Sequence, residues 1–340
     1  SDRFKKSLAS ADQSDYKVVE YGKLVIGFPI DEGVLYIQKV APEGIMSPAY
    51  STWDVDTTRI NPDFLELCLH SPQSMQYYKD KLRSTTARRR SIPTADLLAL
   101  RIRTPAMESQ LEAVAVARKV DEMIAIRHAQ ATLLDQLVKS RFIELFGAIT
   151  ETVPLSYYIE ALNAGKSLAG EEECPNKVLK TGATTYDYFD ATQVKNLPDD
   201  YEPLEDHRIK TGDVIISRMN TAELVGAAAY VWEAPERTYL PDRLWKAEIK
   251  ETACPIFIWQ VLIQSSTKER IRQIASGTSG SMKNISKPGL LGIRVKKVDL
   301  AAQEQFAAFV AQTDKSKLAV QQGLKELEIL KKSLMQQYFG

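Results

Sequence analysis

The stretches "LDQLVKSRFIELFG" at 134–147 and "LEILKKSLMQQYFG" at 327–340 decide the fold, because one chain carries nearly the same helical ending twice. A true duplication repeats one offset at many positions, and here 193 residues separate Leu134 from Leu327. The same offset joins further identical pairs upstream: Pro48 and Pro241, Pro62 and Pro255, Phe64 and Phe257, Ile92 and Ile285, Leu97 and Leu290, Leu98 and Leu291, Arg101 and Arg294, and Gln110 and Gln303. The sequence therefore predicts a tandem internal repeat.

The offset also predicts where each copy begins. A unit that ends at Gly340 starts at Ala148, whereas the copy that ends at Gly147 would start about 45 residues before Ser1. We therefore expect the first copy to lack its front, in a fragment, an engineered form or a short natural variant. The predicted domains are a first head at 1–107, N-terminally incomplete, a first long helix at 108–147, a second head at 148–300 and a second long helix at 301–340.

Composition bounds the class of protein. The chain has 340 residues, of which 44% are hydrophobic and 26% charged, which is typical of a soluble protein of two domains. No apolar run approaches the roughly 20 residues of a membrane span. The cysteines and histidines stand isolated from one another at Cys68, Cys174, Cys254, His70, His128 and His207. This pattern favours a reducing cytoplasm and argues against a structural zinc site.

The formal net charge of zero hides a strong asymmetry along the chain. Residues 77–104 contain eight Lys or Arg against two acidic residues, and the equivalent stretch 264–297 contains eight against one. Residues 148–206 instead contain four Lys against twelve acidic residues. A basic surface repeated in both copies indicates binding to a polyanion, because each neutralised phosphate releases counterions. The alternative is two solvated helix faces.

Each copy divides into a front part and an end part. The front parts alternate short apolar segments with Gly, Pro and Asp clusters, which predicts strands and turns, followed by a helix at 62–82 and again at 255–275. The end parts, 108–145 and 301–339, contain no proline and carry apolar residues at helical spacing. Each end part predicts one helix, about 57 Å long at 1.5 Å per residue.

The long helices predict an α+β fold with a pseudo-twofold internal repeat. We expect the two helices to pair as an antiparallel coiled coil that joins two heads of mixed strands and short helices. Two basic heads on a rigid spacer would suit the reading of two DNA segments about one to one and a half helical turns apart.

These residues resemble a known family, the specificity (S, or HsdS) subunit of type I restriction-modification systems. The resemblance covers nearly the whole chain and is carried by these segments, in order and twice: "MSPAYSTW" and "LPDRLW", "TTARRRSIP" and "GTSGSMKNIS", the strands "LLALRI" and "LLGIRV", Gln110 and Gln303 at the helix starts, and "LFG" and "YFG" at the helix ends. The second copy also has "VLKTGATTYDYFD", for which the first copy has no equivalent.

The resemblance implies a function and partners. Each head would be a target recognition domain that reads one half of a bipartite sequence in double-stranded DNA, and the helices would dock methyltransferase (M) subunits, two in all, with restriction (R) subunits in the full complex. It implies no catalysis and no cofactor in this chain, with S-adenosylmethionine, ATP and Mg on the partner subunits, in the cytoplasm. The alternative is a truncated S-like protein that reads one half-site or acts as a scaffold.

Candidate DNA contacts fall in short polar segments. Glycines let a backbone approach phosphate, Ser and Lys supply donors and charge, and Arg and Asn read guanine and adenine. The candidates are Gly277, Ser279, Gly280, Ser281, Lys283 and Asn284 in the glycine-rich segment, Arg218, Asn220 and Thr221 after a strand, Lys180, Thr181 and Tyr186, and Arg88, Arg89 and Arg90 in the first head. Alternatives are a plain glycine-rich turn and, for the arginines, a solvated basic turn.

The apolar positions of the long helices are the candidates for helix pairing and partner docking. They are Val120, Met123, Leu134 and Leu137 in the first helix and Val320, Leu324, Leu327 and Leu334 in the second.

A catalytic alternative rests on "LPDRLWKAEIK". Its Asp242, Glu248 and Lys250 approximate the PD-ExK pattern of a metal-dependent nuclease, in which two carboxylates hold the metal. The first copy has Ala49, Val55 and Thr57 at the equivalent positions, so the pattern is not part of the repeat. We regard a nuclease as the weaker prediction and expect no catalytic residue and no metal site.

Overall fold

The computed structural model of the chain describes residues 14–82, 90–277 and 282–339. The fold is α+β, as predicted. The chain divides into two compact units, residues 1–131 with 319–340, and residues 132–318. Each long helix contributes one segment to the first unit and one to the second. In the described ranges, no helix has the length and apolar character that a membrane crossing requires.

The helices and strands have the following bounds. The α-helices are α1 Pro62–Leu69, α2 Pro72–Leu82, α3 Thr94–Leu98, α4 Met107–Phe146, α5 Pro255–Ile263, α6 Ser265–Ile274, α7 Lys287–Leu291 and α8 Leu300–Phe339. The strands are β1 Lys17–Glu20, β2 Leu24–Ile26, β3 Leu35–Ile37, β4 Glu43–Met46, β5 Ser51–Trp53, β6 Thr152–Pro154, β7 Ile159–Asn163, β8 Lys177–Leu179, β9 Val194–Asn196, β10 Val214–Ser217, β11 Met219–Asn220, β12 Ala228–Tyr230, β13 Thr238–Tyr239, β14 Leu244–Ile249, β15 Lys283–Asn284 and β16 Arg294–Lys296. Short 3-10 turns lie at Ile30–Glu32, Leu155–Tyr157, Thr181–Thr184 and Glu205–His207.

The repeat read from the sequence is present in the elements. The helices α1, α3 and α4 begin 193 residues before α5, α7 and α8, and α4 also ends 193 residues before α8. In the first unit β2 pairs antiparallel with β3 and β5. In the second, β10 pairs antiparallel with β12 and β14, and β7 adds a fourth strand beside β14.

Two predictions about local structure are wrong. The helices predicted at 62–82 and 255–275 are each broken in two. Pro72 begins α2, and a proline disfavours the helical conformation in the residue before it. Gln264 is extended, with ψ 139°, between α5 and α6. The segments "LLALRI" and "LLGIRV", predicted as strands, begin with the short helices α3 and α7, and β16 forms only from Arg294 onward.

A buried glutamine fixes the start of each long helix. Gln110 and Gln303 are fully buried. The Gln110 Oε1 accepts a hydrogen bond from the backbone N–H of Asn61, the residue before α1, at 2.8 Å, and its Nε2 donates to the Pro105 carbonyl at 2.8 Å. The Gln303 Oε1 accepts from the N–H of Cys254, the residue before α5, at 2.9 Å, and its Nε2 donates to the Val298 carbonyl at 2.9 Å. The same amide therefore ties helix to head in both repeats.

The far end of each long helix packs into the core of the other repeat. Phe339, at the end of the second repeat, contacts Phe64 of the first, with ring centroids 5.2 Å apart. Phe146, at the end of the first repeat, contacts Phe257 of the second at 5.4 Å and is buried with Phe306 in the largest apolar cluster. Each core therefore needs an aromatic side chain from the other half of the sequence.

Within each unit the two helix segments run antiparallel. In the first unit the Lys331 ammonium lies 2.6 Å from the Asp121 carboxylate, and in the second the Lys317 ammonium lies 2.6 Å from that of Asp135. In the first unit Gly323 also faces Arg127, and in the second Phe306 also contacts Phe142, with ring centroids 5.5 Å apart. Within each unit, therefore, the residue number of the partner falls along one helix as the number rises along the other. This is the antiparallel pairing that the sequence predicts.

We predict that Gln303→Leu destabilises the protein strongly. The substitution leaves the Cys254 N–H without its partner and reduces the contacts of the Val298 carbonyl to the 3.4 Å approach of the Tyr158 hydroxyl, and a buried unpaired group costs about 1–3 kcal/mol. Urea unfolding followed by circular dichroism measures the loss. The matched control is Gln321→Leu on an exposed position of the same helix, expected to change stability by about 0.5 kcal/mol or less. Equal effects of the two substitutions would contradict the structural role of Gln303.

Candidate nucleic-acid interface

A two-stranded ribbon in the second unit brings together two of the predicted DNA-contacting segments. The strands β11 and β15 pair antiparallel, with Asn220 opposite Lys283 and Met219 opposite Asn284. Beyond the ribbon, Ser276 and Asn284 exchange two backbone hydrogen bonds of 2.9 Å. Residues 218–221 and 283–284, about sixty positions apart in sequence, are therefore neighbours in space, as a common contact surface requires.

At the start of the glycine-rich segment, the backbone of Gly277 lies close to that of Met282. Gly277 has φ 134°, and a Cβ added there would lie 2.5 Å from the Met282 carbonyl oxygen. The Lys283 ammonium donates to the Gly277 carbonyl at 2.7 Å. A side chain at 277 would meet backbone, so the close approach requires glycine. Of the predicted contacts in this segment, Ser279, Gly280 and Ser281 lie outside the described residues.

Arg218 is fixed at the edge of the ribbon by its backbone and its ring neighbour. Its N–H donates to the Arg243 carbonyl and its carbonyl accepts from the Ile285 N–H, both at 3.1 Å. The guanidinium carbon lies 5.8 Å from the centre of the Trp245 ring, within the range of a cation–π contact. Its Nη1 lies 3.5 Å from the Asp242 carbonyl, which is a weak contact. Arg218, which the sequence predicts to contact a base, is therefore fixed by its backbone and by the indole ring and is half-exposed.

Asn220 and Thr221 form hydrogen bonds that stabilise the turn after β11. The Asn220 Oδ1 accepts from the Thr221 N–H at 2.9 Å, and its Nδ2 lies 3.5 Å from the Ser217 hydroxyl. The Thr221 carbonyl accepts from the N–H groups of Leu224 and Val225. These contacts give both residues a local structural role beside their predicted role in DNA contact.

The remaining candidates of the second head lie on a different segment. The Lys180 N–H donates to the Gln193 carbonyl at 2.7 Å just before the 3-10 turn that begins at Thr181. Tyr186 is 74% exposed and stacks on Tyr188, which is 50% exposed, with ring centroids 6.1 Å apart. This segment presents a pair of exposed aromatic rings.

Asp187, between the two tyrosines, fixes that pair. It adopts the left-handed conformation with φ 62°, which is uncommon for a residue other than glycine. Its carbonyl accepts from the Trp259 Nε1 at 3.1 Å, and its carboxylate pairs with Lys268 and accepts from the Ala228 N–H at 3.3 Å. The strain of the turn is therefore balanced by contacts on both backbone and side chain.

The tyrosine pair borders a depression of about 200 Å³ that both long helices line within the second unit. Its helix residues include Leu134 and Val138 of α4 and Asp314 of α8. Burial raises the pKa of Asp314 above its ordinary value, the nearby Asp135 acts in the same direction, and Lys317 opposes them.

Part of the basic stretch 264–297 serves the fold. Lys296 donates to the carbonyls of Gly147 and Ile149 at 2.6 and 2.8 Å, just beyond the end of α4. The Arg294 Nε donates to the Thr152 hydroxyl at 3.0 Å, and Lys297 pairs with Glu151 at 2.7 Å. These three basic residues bind groups of the protein itself. Their charges therefore stabilise the fold, which is the alternative to binding a polyanion.

In the first head, too, a basic side chain is paired with groups of the protein. Of its three consecutive arginines, Arg90 is the one that the structure describes. The Arg90 guanidinium lies 2.9 Å from the Asp31 carboxylate and also pairs with Glu32. Its predicted role as a phosphate contact therefore competes with two internal carboxylates. Arg88 and Arg89 lie outside the described residues.

The geometry of the nuclease-like pattern does not suit a shared metal. Asp242 precedes β14 and Glu248 lies near its end. A strand rises about 3.3 Å per residue, so the backbones of Leu244 and Glu248 are about 13 Å apart. Lys250 donates to the Ser156 carbonyl at 2.9 Å instead of approaching either carboxylate. In the described ranges, no three His, Cys, Asp or Glu side chains come together as metal ligands.

Most of the predicted docking positions on the long helices are turned inward. Val120 is buried, and half-buried positions are Leu134, Val320, Leu324, Leu327 and Leu334. Met123 and Leu137 are exposed. The sequence did not indicate four strongly exposed apolar residues of the long helices, Leu133, Ile143, Leu318 and Ile329, at 61%, 64%, 65% and 70% exposure. The sequence could have indicated these residues, because they are apolar but lie outside the helical stripe of apolar residues that pairs the two helices.

Comparison with known proteins gives the fold. No family model matches the sequence, and no curated protein matches it. A solved component of a type I restriction-modification system, studied for complex assembly and conformational transition, is 15% identical with a TM-score of 0.59 and covers 97% of this chain and 84% of its own. The type I restriction-modification S subunit from M. genitalium is 15% identical with a TM-score of 0.58 and covers 95% and 84%. The chain has the fold of type I restriction-modification S subunits.

We predict that Lys283→Ala weakens binding to DNA duplexes of every sequence. Lys283 supplies charge at the ribbon without a carboxylate partner among its described contacts, so its loss should reduce the slope of log affinity against log salt by about 1. Titration of a labelled duplex at several salt concentrations measures both quantities. Lys325→Ala, the same charge change at an exposed position of α8, is the control and should leave them unchanged. A Lys283 effect confined to one DNA sequence would contradict the assignment to phosphate.

Proposed function

We propose that this chain is the DNA-recognition subunit of a type I restriction-modification complex. The observation that carries the proposal is the duplicated architecture, in which equivalent helices start 193 residues apart and each repeat ends in a long helix closing the core of the other. Its fold is shared with S subunits. A protein built twice from one plan suits a target made of two parts.

Each repeat would read one half of a bipartite site in double-stranded DNA. In the second repeat the proposed surface is the β11–β15 ribbon with the glycine-rich segment, where Arg218, Lys283 and Asn284 converge. Phosphate contacts would position the duplex, and base contacts would give specificity. Tyr186, Lys180 and Thr181 lie on another segment and are assigned to a second, peripheral contact.

The long helices would dock the methyltransferase subunits. The exposed apolar residues Leu133, Leu137 and Leu318 lie on the helix segments of the second unit, and Ile329 lies on those of the first. Apolar side chains at the surface of a helix pair are energetically useful when a partner covers them. Leu324 and Leu327, being half-buried, would hold the two helices together.

Catalysis would belong to the partners. Methyl transfer from S-adenosylmethionine would be carried out by M subunits, and ATP- and Mg-dependent translocation and cleavage by R subunits, in the cytoplasm with the host DNA. The role proposed for this chain is binding, orientation of the duplex and assembly, without a catalytic residue of its own. The separated Asp242 and Glu248 support this assignment over a nuclease.

A second candidate is an S-like protein that reads one half-site. The observation that favours it is that Arg90 of the first repeat is engaged by two carboxylates. In this alternative only the second repeat reads sequence, while both helices still dock a methyltransferase.

Mapping of methylated adenines distinguishes the two candidates. The chain is co-expressed with its methyltransferase partner, and modified adenines are located across the host DNA. The proposal predicts a split motif with a gap of fixed length, whereas one short motif would favour the half-site reader. Absence of methylation from a complex that still assembles would contradict DNA recognition.

We predict that exposed and half-buried leucines of α8 behave differently. The double substitution Leu318→Asp with Ile329→Asp should leave thermal stability nearly unchanged, because surface changes cost about 0.5 kcal/mol or less, but reduce co-purification of the methyltransferase at least tenfold. The matched pair Leu324→Asp with Leu327→Asp should lower the melting temperature, because it places charges in the helix interface. Loss of stability from both pairs, or retained partner binding by the first, would contradict the docking assignment.

A further inference from the structure

We infer that Phe28 is a specificity-determining residue of the first repeat and that its ring contacts the methyl group of a thymine in the DNA target. The inference rests on the proposed function, since it assumes that the first repeat reads DNA. It goes further in naming a residue that sequence spacing does not indicate, the base that this residue selects and the chemical group that it contacts.

The backbone of the first repeat contains the equivalent of the β11–β15 ribbon. The Ile30 N–H donates to the Arg90 carbonyl at 3.0 Å, and in the second repeat Asn220 lies opposite Lys283. Sixty residues separate Ile30 from Arg90, and 63 separate Asn220 from Lys283. The two repeats therefore build the same pairing, and the second inserts three residues between its members.

Phe28 holds the position in the first repeat that Arg218 holds in the second. Each lies two residues before the residue that pairs across the ribbon and just after an inner strand of its sheet, β2 or β10. The residue before each donates its N–H to the residue that precedes the neighbouring strand, Gly27 to Val34 at 2.8 Å and Ser217 to Ala227 at 2.7 Å. Because equivalent strand positions direct their side chains to the same face, one repeat presents a phenyl ring where the other presents a guanidinium.

Tyr50 fixes the direction of the Phe28 ring. The ring centroids lie 5.3 Å apart at an interplanar angle of 89°, which is a favourable edge-to-face contact. Tyr50 in turn lies against the backbone of Gly27, where a Cβ would come within 2.8 Å of the tyrosine ring, so the close approach requires glycine. The phenyl ring is therefore held in one direction, as a group that selects a base must be.

The apolar surface around Phe28 is accessible from outside. Phe28 is half-buried and lines an open depression of about 220 Å³ in the first head. The other apolar lining residues include Ala49, Trp53, Ile92 and Leu97. A methyl group that enters this depression removes apolar surface of both partners from water, which is favourable.

The chemistry of a phenyl ring selects thymine. In the major groove all base edges carry hydrogen-bonding groups, and thymine alone also carries a methyl group. A phenyl ring has neither donor nor acceptor, so it would leave the N7 and O6 of guanine or the N4 of cytosine unpaired once water is excluded, at a cost in free energy. Packing on the thymine methyl group has no such cost.

This contact gives the first repeat a means of selection that does not need its arginine. Arg90 is engaged by Asp31 and Glu32, whereas the ring of Phe28 acts without charge. The first repeat would thus select its base by apolar contact, and the second would use the hydrogen bonds of Arg218. A split target with two unlike halves follows.

The test is competition binding by the complex of this chain with its methyltransferase. Duplexes carry the mapped target with each thymine replaced in turn by deoxyuridine, which removes the methyl group and keeps every hydrogen-bonding group. At one thymine the wild-type complex should bind the uracil duplex about fourfold more weakly, the effect of one buried methyl group. Phe28→Ala should bind the two duplexes equally.

The ratio of the two affinities is measured within one protein, so a smaller folded fraction does not change it. Phe28→Leu keeps an apolar side chain and should retain a ratio of about twofold. Phe28→Arg introduces the side chain of the second repeat and should abolish the ratio while raising the relative affinity for G·C at that position. Tyr21→Ala, at another exposed aromatic residue of the first head, is the control and should leave the ratio unchanged.

The outcomes are distinguishable. If the wild-type complex binds duplexes of every sequence alike, the proposed function fails and the inference with it. If the complex is selective but no thymine is sensitive to the loss of its methyl group, or the sensitivity persists in Phe28→Ala, the role of Phe28 is wrong while DNA recognition stands. An equal loss of sensitivity in Tyr21→Ala would also overturn the inference, because the effect would then not depend on the ring of Phe28.

Discussion

The hydrogen bonds of two buried glutamines hold this architecture together. Gln110 and Gln303 each bind the backbone just before a head helix and the backbone just before their own long helix. A buried amide is stable there because both of its ends are paired, and it sets the direction in which the long helix leaves the head. Because the residue, the partners and the offset recur, one local interaction is used twice to define the repeat.

The distant ends of the helices add a second constraint. Phe146 and Phe339 lie in cores formed by the other repeat, so neither half of the sequence contains all the residues of a complete core. Close-packed interiors do not tolerate the loss of an aromatic side chain easily, at about 3–5 kcal/mol for a Phe→Ala substitution. The long helices therefore connect the two heads and also contribute side chains to both cores. The surfaces proposed for DNA and for partner subunits depend on these cores being complete.

The sequence predicted those features that depend on spacing and missed those that depend on side-chain geometry. The duplication, the α+β class and the two long helices follow from periodicity and from the offset between Gln110 and Gln303. The breaks before Pro72 and at Gln264 were missed, since a continuous apolar pattern does not show a change of backbone angle. The pairing of residues 218–221 with 283–284 is a long-range contact, which no local pattern reveals, and the same is true of the carboxylates that engage Arg90 and of the ring beneath Arg218.

A split chain tests most directly the claim that each repeat completes the core of the other. Residues 1–147 and 148–340 are expressed together as two polypeptides, with an affinity tag on one of them, and the purified material is weighed by native mass spectrometry and melted beside the intact chain. The account predicts a complex of one copy of each half with a cooperative melting transition, because Phe146 and Phe339 still reach their cores. Two halves that fold separately as stable monomers and do not co-purify would contradict it.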